Sequence, residues 1–371
     1  MKKVLMVSGS LPPIRCGVGD YTHKLLLELG SKADMEILST AGVKNDLPQP
    51  LMTVPGWRIF SLPKILAAVK KSGAGVVHIQ YPAVGYKRQL GINLLPYLLR
   101  LVRPRTKILI TLHEYHASRL VGRVRDFITI LPAHKIIVSN NADLKALPRI
   151  FKRRLTLIPI GSNIDPVKEN QSIYKKTLAQ QKLDAQKPTI LFFGFAHPAK
   201  RLEILLEALN QPGLQGFQAL VVSHLHKDNS YHRELIVLIE ALNSDGMRVG
   251  LINRFVDSHE LASIIRGGEL FVLPQSVPLT AKSSTAITAV LSGLVVVSSG
   301  SEDPDQSLPY VNGKNSLLIN PLGAESLATA LAKLQQDKNL LKAITKGSAD
   351  LADYFSWDSI AKKHMAVYEQ L

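Results

Sequence analysis

In the stretch KILITLHEYH, an apolar run is followed at once by His113, Glu114 and His116. A histidine at the carboxyl end of a strand can hydrogen-bond a hydroxyl or stabilise charge that develops beside it, and it can equally be a satisfied core or surface group. FFGFAHPAKRLEILLEAL runs from a strand into Gly194 and Phe195, through His197 and Pro198, to Lys200 where helical periodicity begins. A lysine there adds a mobile cation to the positive end of the helix and suits a diphosphate leaving group. It also reads as a solvated lysine, although a cation at a helix start is electrostatically disfavoured. In SLPPIRCGVGDYTHKLLLEL, Gly17, Val18, Gly19 and Asp20 open a helix whose apolar face is read as Leu25, Leu26, Leu27 and Leu29. Free amides at such a start can meet an anion; the alternative is a turn pair of glycines with no ligand. The G-x-G-x-x-G spacing is incomplete and no acidic residue closes the second strand, so a dinucleotide site is not supported. Finally, Ser283, Ser284 and Thr285 place three hydroxyls and a helix start together after LFVLPQ, where capping alone would explain one of them.

The elements that must carry these residues are legible as a rhythm. Val- and Ile-rich runs (KVLMVSGS, MEILST, GVVHIQYP, KILITLHEY, KIIVSNN, LTLIPIGSNI) alternate with helical stretches, and the second half repeats the pattern with PTILFFGF, FQALVVSH, RVGLINRF, LFVLPQ, LVVVSSG and NSLLIN. Such alternation predicts two doubly wound α/β domains with buried parallel sheets. Between Asn163 and Lys187 the sequence turns polar, which marks a linker with one short helix. The closing WDSIAKKHMAVYEQL is expected to be a terminal helix with Ile360, His364, Met365 and Tyr368 on one face. Parallel sheets bind ligands beyond the carboxyl ends of their strands, and two facing sheets are expected to form a cleft. Each candidate residue above follows a strand.

At 371 residues the chain suits two domains of ordinary size. Its single cysteine, Cys16, precludes an intrachain disulfide and fits a reducing cytoplasm, and no Cys/His cluster has metal-ligand spacing. No run of about 18 apolar residues is present, so a membrane span is not expected. The net charge of +16 calls for an anionic partner. Without a zinc finger, an RNP motif or aromatic-basic interleaving, nucleic acid is disfavoured against a phosphorylated substrate or an acidic membrane surface. YKRQLGINLLPYLLRLVRPRTK sets Leu94, Leu95, Leu98 and Leu101 among Lys87, Arg88, Arg100, Arg103, Arg105 and Lys107. That segment reads either as a peripheral attachment to the inner face of an anionic membrane or as a packing helix with a solvated basic face.

Together these stretches resemble the retaining glycosyltransferases of family 4, also called glycosyl transferases group 1. The likeness is carried in order by PPIRCGVGDYTHKL, TLHE, IPIGSNI, GFAHPAKRLEILLEAL, SHELASIIRGGELFVLP, AVLSGLVVVSS, VNGKNSLLINP and FSWDSIAKKHMAVYEQL. The resemblance implies the GT-B fold, two doubly wound Rossmann-like domains facing a cleft. Residues 1–164 with 355–371 would form the acceptor domain and 165–354 the nucleotide-sugar domain. It implies a UDP- or GDP-linked donor as substrate, a polysaccharide, glycolipid or lipid-linked acceptor, and neither cofactor nor metal. Carried over by position, His113 and Lys200 are the catalytic pair. Gly17, Val18, Gly19, Gly194, Phe195, Lys200, Ser283, Ser284, Thr285 and Thr288 lie at the donor, while Asp20, Glu114 and Thr280 lie at the sugar or acceptor. The chain departs from the family where Phe195 replaces an arginine and where Thr280 and Thr288 replace a pair of glutamates. Those departures leave a second reading open, a GT-B protein without catalysis that serves as a nucleotide-sugar-binding or scaffold subunit.

Overall fold

A strand covered on both faces reads as a near-continuous apolar run, and β1 (Val4–Ser8) and β8 (Thr189–Phe193) are buried throughout. The computed structural model describes residues 2–44, 46–116, 118–167 and 171–371; residues 168–170 of the polar linker stretch fall outside them. It divides into two compact units, one of Met1–Asn163 with Trp357–Leu371 and one of Ile164–Ser356.

In the first unit the remaining strands are β2 (Met35–Thr40), β3 (Leu51–Val54), β4 (Val76–Tyr81), β5 (Lys107–Leu112), β6 (Lys135–Val138) and β7 (Leu155–Leu157). They pair in parallel in the order β3-β2-β1-β4-β5-β6-β7. Strand β3 is absent from the sequence expectations. It is an edge strand, only part-buried and introduced by Pro48 and Pro50, so its apolar rhythm is weak. The second unit continues with β9 (Gln218–Val222), β10 (Val249–Ile252), β11 (Leu270–Leu273), β12 (Val295–Ser299) and β13 (Leu317–Ile319), ordered β10-β9-β8-β11-β12-β13 and again parallel.

The helices of the first unit are α1 (Gly17–Leu29), α2 (Leu62–Ser72), α3 (Gly91–Val102), α4 (Leu120–Ile130) and α5 (Asn141–Ala146). Those of the second are α6 (Gln171–Gln180), α7 (Leu202–Leu209), α8 (Ser230–Ser244), α9 (Ser258–Arg266), α10 (Ser284–Leu291), α11 (Ala324–Gln336) and α12 (Lys338–Phe355). The terminal helix α13 (Trp357–Glu369) packs on α1 in the first unit. Its buried face comprises Ile360, Ala361, His364, Val367 and Tyr368, whereas Met365 is only half-buried. The Trp357 Nε1–H donates to the Ser162 carbonyl at 2.9 Å, and a Cβ on Gly161 would strike the indole at 2.6 Å. On α1 the core face is Leu25, Leu26 and Leu29; Leu27 points outward, correcting the four-leucine face read from sequence, because it lies off the 3.6-residue stripe.

Each sheet reverses its winding once, between β1 and β4 in the first unit and between β8 and β11 in the second. Doubly wound sheets bind ligands just beyond the strand ends at such switch points.

Candidate active site

At the switch point of the second unit, the loop after β8 meets the loop after β11. The Ser276 amide donates to the Ala199 carbonyl at 2.8 Å, and the Leu279 amide to the Ser299 carbonyl at 2.9 Å, so the ends of β8, β11 and β12 are tied together. Gly194 leaves β8 at φ +112, a backbone conformation that side chains rarely adopt. A Cβ built there would lie 2.9 Å from Lys200 Nζ and 3.2 Å from Thr285 Cγ2. Lys200, Gly194 and the start of α10, 91 positions apart along the chain from Gly194 to Thr285, therefore share one spot.

Lys200 does not itself open an α-helix, as its sequence suggested. It ends the single 3-10 turn Pro198–Lys200, and α7 begins at Leu202 only after Arg201 has taken a left-handed conformation at φ 47. The lysine side chain is free to fold back over Gly194. Burial lowers its pKa, and no acceptor among the described residues offsets that cost. The α10 terminus beside it is also unsatisfied. Its N-cap Ser283 makes no side-chain cap, whereas Asn229 and Asp257 cap α8 and α9. The first amide of this turn to bond back is that of Ile287, to the Ser283 carbonyl at 2.9 Å, so the amides of Ser284, Thr285 and Ala286 stay outside the ladder. Ser284 is exposed, and Ser283 Oγ lies 3.4 Å from Thr285 Oγ1. An ammonium, three amides and three hydroxyls around one point suit an anion with several oxygens.

Two other residues expected here behave differently. Thr288 is buried and its hydroxyl donates to the Ser284 carbonyl at 2.8 Å, within its own helix. Thr280 Oγ1 accepts the Lys282 amide at 3.3 Å and its carbonyl the Ser283 amide, which shapes the approach to α10. Phe195 is 81% exposed beside Gly194. Its loop is pinned by a residue missed in the sequence, His232, whose Nε2–H donates to the Ala196 carbonyl at 2.7 Å while Nδ1 accepts the His226 amide at 2.9 Å. Only its placement on the buried side of an amphipathic helix could have signalled it.

The first unit handles its polar groups in another way. The loop after β1 is bonded inward: Thr40 Oγ1 donates to the Gly9 carbonyl at 2.6 Å and the Gly85 amide to Ser10 Oγ at 2.8 Å. Any Cβ on Gly85 would collide with the Gly9 carbonyl, so two backbones cross at the switch point itself. Helix α1 starts next to them without a side-chain cap from Cys16, and the amides of Gly17, Val18 and Gly19 precede the first helical bond, from Asp20 to the Cys16 carbonyl at 2.9 Å. Gly19 has a packing reason, since a Cβ would press within 3.0 Å of the Ser10 carbonyl, whereas Gly17 faces open space. Asp20 is half-buried and its carboxyl is pushed up, by burial first, with His23 opposing. Glu114 is exposed.

His113 is turned inward. Its Nε2–H donates to Gln80 Oε1 at 2.8 Å, and its ring meets that of Tyr21 edge-on at 5.1 Å. Gln80 belongs to a buried network that the sequence did not disclose. Thr111 Oγ1 and Gln80 Nε2 lie 2.7 and 3.3 Å from His78 Nε2, whose Nδ1–H donates to Tyr368 Oη at 2.8 Å. Tyr21 Oη lies 3.3 Å from His364 Nε2, and His364 Nδ1–H donates to the Ile360 carbonyl at 2.9 Å. Burial holds the pKa of His78 well below the ordinary value, with His364 and His113 adding to the effect. Burial likewise lowers His364 to about 4, against the opposing bond to Ile360. The available signal was His78 and Gln80 two residues apart in an otherwise apolar strand, one face carrying both. Among the described residues no group of three or more His, Cys, Asp or Glu side chains gathers as a metal site.

No protein-family model matches the chain, and no curated protein matches it in sequence. Solved structures do match along its whole length. The chain is similar to HepE of Anabaena, solved with UDP, at 15% identity and TM-score 0.74 over 100% of both chains. A glycosyltransferase of Rickettsia africae matches at 18% identity and TM-score 0.74, covering 99% of this chain and 98% of that one. Sucrose-phosphate synthase of Thermosynechococcus elongatus matches at 20% identity and TM-score 0.64, covering 100% and 99%. These likenesses, with the two parallel sheets, show the GT-B fold.

Proposed function

We propose that the chain is a retaining glycosyltransferase that moves a sugar from a UDP- or GDP-linked donor to a polysaccharide, glycolipid or lipid-linked acceptor. The observation that carries this reading is the meeting of Lys200 Nζ, Gly194 and the uncapped start of α10 at the switch point of the second unit. In a glycosyl transfer that releases a nucleoside diphosphate, negative charge grows on the leaving phosphate. A desolvated ammonium and fixed amide dipoles already aimed there stabilise it without reorganisation. That HepE and its like were solved with UDP or UDP-glucose supports the same ligand chemistry here.

In this scheme Lys200, Ser283, Ser284 and Thr285 hold the diphosphate on the second unit, while the resemblance also assigns the open amides of Gly17, Val18 and Gly19 to the donor. Gly194 gives the lysine room, and Phe195 offers an exposed ring where the family has an arginine. By the family resemblance His113, oriented by Gln80, is assigned to the reacting sugar, and Asp20, Glu114 and Thr280 to sugar or acceptor. The residues of this cradle would neutralise the leaving group without a metal ion.

Incubating the full chain with a panel of UDP- and GDP-sugars and measuring nucleotide release tests the proposal. Release that persists in chelator, with retention of anomeric configuration in the product, is the expected result. Binding of donor without release across the panel and a range of saccharide acceptors would overturn the catalytic reading and favour a nucleotide-sugar-binding subunit, which the inward-bonded Thr288 would suit.

A further inference from the structure

Helices α3 and α4 pack side by side in the first unit and leave an open groove of about 470 Å³ between them. Its walls are Leu90 and Leu94 from the α3 side and Leu120, Val121, Val124 and Ile128 from α4. Leu120 and Val121 are 78% and 83% exposed, and Leu101 farther along α3 is 77% exposed. A contiguous apolar surface of this kind is a site of association. The sequence pointed to α3 alone, but Leu95 is fully buried and Leu98 partly so; the exposed apolar side chains come as much from α4.

The charge around the groove says what covers it. Lys87, Arg88, Arg100, Arg103, Arg119 and Arg123 flank the apolar residues in the chain. From residue 84 to 135 the acids are Glu114 and Asp126, and Asp126 is fully buried, 3.6 Å from Arg125 on the groove floor. Apolar side chains standing out of a basic field match a bilayer, which offers hydrocarbon beneath anionic headgroups. A second copy of the chain would bring the same positive field against itself. No described helix is long and apolar enough to cross a membrane, so contact must be from one side.

We infer that the α3–α4 face docks on an anionic lipid bilayer, with Leu120, Val121 and Leu101 entering the headgroup boundary and the flanking arginines and lysines meeting lipid phosphates. The inference stands apart from the enzymatic reading. The full chain is mixed at low salt with vesicles of phosphatidylglycerol and phosphatidylcholine in about equal amounts, and with vesicles of phosphatidylcholine alone, and co-sedimentation is measured. Binding to the first and not the second, reversed by high salt, is expected. Arg88→Gln with Arg119→Gln should weaken partitioning about thirtyfold, the loss of about 2 kcal/mol for two surface charges. Leu120→Ser with Val121→Ser should weaken it comparably, with an unchanged thermal melt showing that both proteins are folded. Absence of binding at low salt, or binding untouched by either pair of changes, would overturn the inference. So would a self-association of the native chain that the Leu120/Val121 pair abolishes while vesicle binding persists.

Discussion

The two units share one winding plan but treat their switch points in opposite ways. In the first, two backbones cross at Gly9 and Gly85, and the polar side chains behind them, His78, Gln80, Thr111, His364 and Tyr368, bond to one another in a buried chain. In the second, a desolvated lysine and an uncapped helix end face one spot, with no acceptor for them among the described residues. Buried polar groups are seldom left unpaired, so a buried cation and three open amides gathered at the second switch point are the feature that a ligand would explain. The buried network of the first unit, by contrast, fastens the returning α13 and orients His113.

The largest effect that would sharpen this contrast is acid sensitivity confined to the first unit. An unfolded histidine titrates near 6.5, while folded His364 titrates at about 4, so the unfolded chain binds more protons between those values. The stability this histidine contributes is full above pH 6.5 and is lost as pH falls toward about 4, of order 3 kcal/mol. His78, depressed for the same reason, acts in the same direction. Both tryptophans, Trp57 and Trp357, belong to the first unit, so their fluorescence in denaturant titrations across this pH range reads that unit alone. His364→Leu should flatten the pH dependence; an undiminished slope would break the link between network and stability.

Next in size is Lys200→Ala. A hydrogen bond to a charged group contributes about 1.5–3 kcal/mol, so calorimetric affinity for UDP or GDP should fall roughly ten- to hundredfold. An unchanged affinity would return Lys200 to the status of a surface lysine. A smaller effect is expected for His113→Ala: turnover about tenfold lower, some 1.4 kcal/mol, with donor affinity nearly unchanged, because the contact proposed for it would strengthen only as charge develops on the sugar. Normal turnover in the folded variant would leave His113 a structural member of the network. Thr288→Ala should be the mildest, at most about 1 kcal/mol, since its hydroxyl is spent on the Ser284 carbonyl. A loss equal to that of Lys200→Ala would contradict the division of labour in the second unit.

The α/β class was readable because parallel strands covered by helices are predominantly apolar runs, and twelve such runs stood out while the edge strand β3 did not. The meeting of Gly194, Lys200 and Thr285 in the second unit was readable too, since each follows a strand and this topology delivers such residues to one edge. What the sequence could not convey was conformation set by neighbours. The left-handed Arg201 that turns Lys200 back over Gly194, the inward hydroxyl of Thr288, and the pairing of His78 with a residue 290 positions away all depend on tertiary contacts. Composition likewise marked α3 as basic and apolar, but only packing revealed α4 as its partner.

The central claim, that the second unit holds its unsatisfied groups for a nucleoside diphosphate, is tested most directly by amide hydrogen exchange of the full chain with and without UDP or GDP. Exchange should slow in segments 194–201 and 283–288 and stay unchanged in the buried strands 76–81 and 107–112. Protection confined to the first unit, or none at either second-unit segment at saturating nucleotide, would contradict the account.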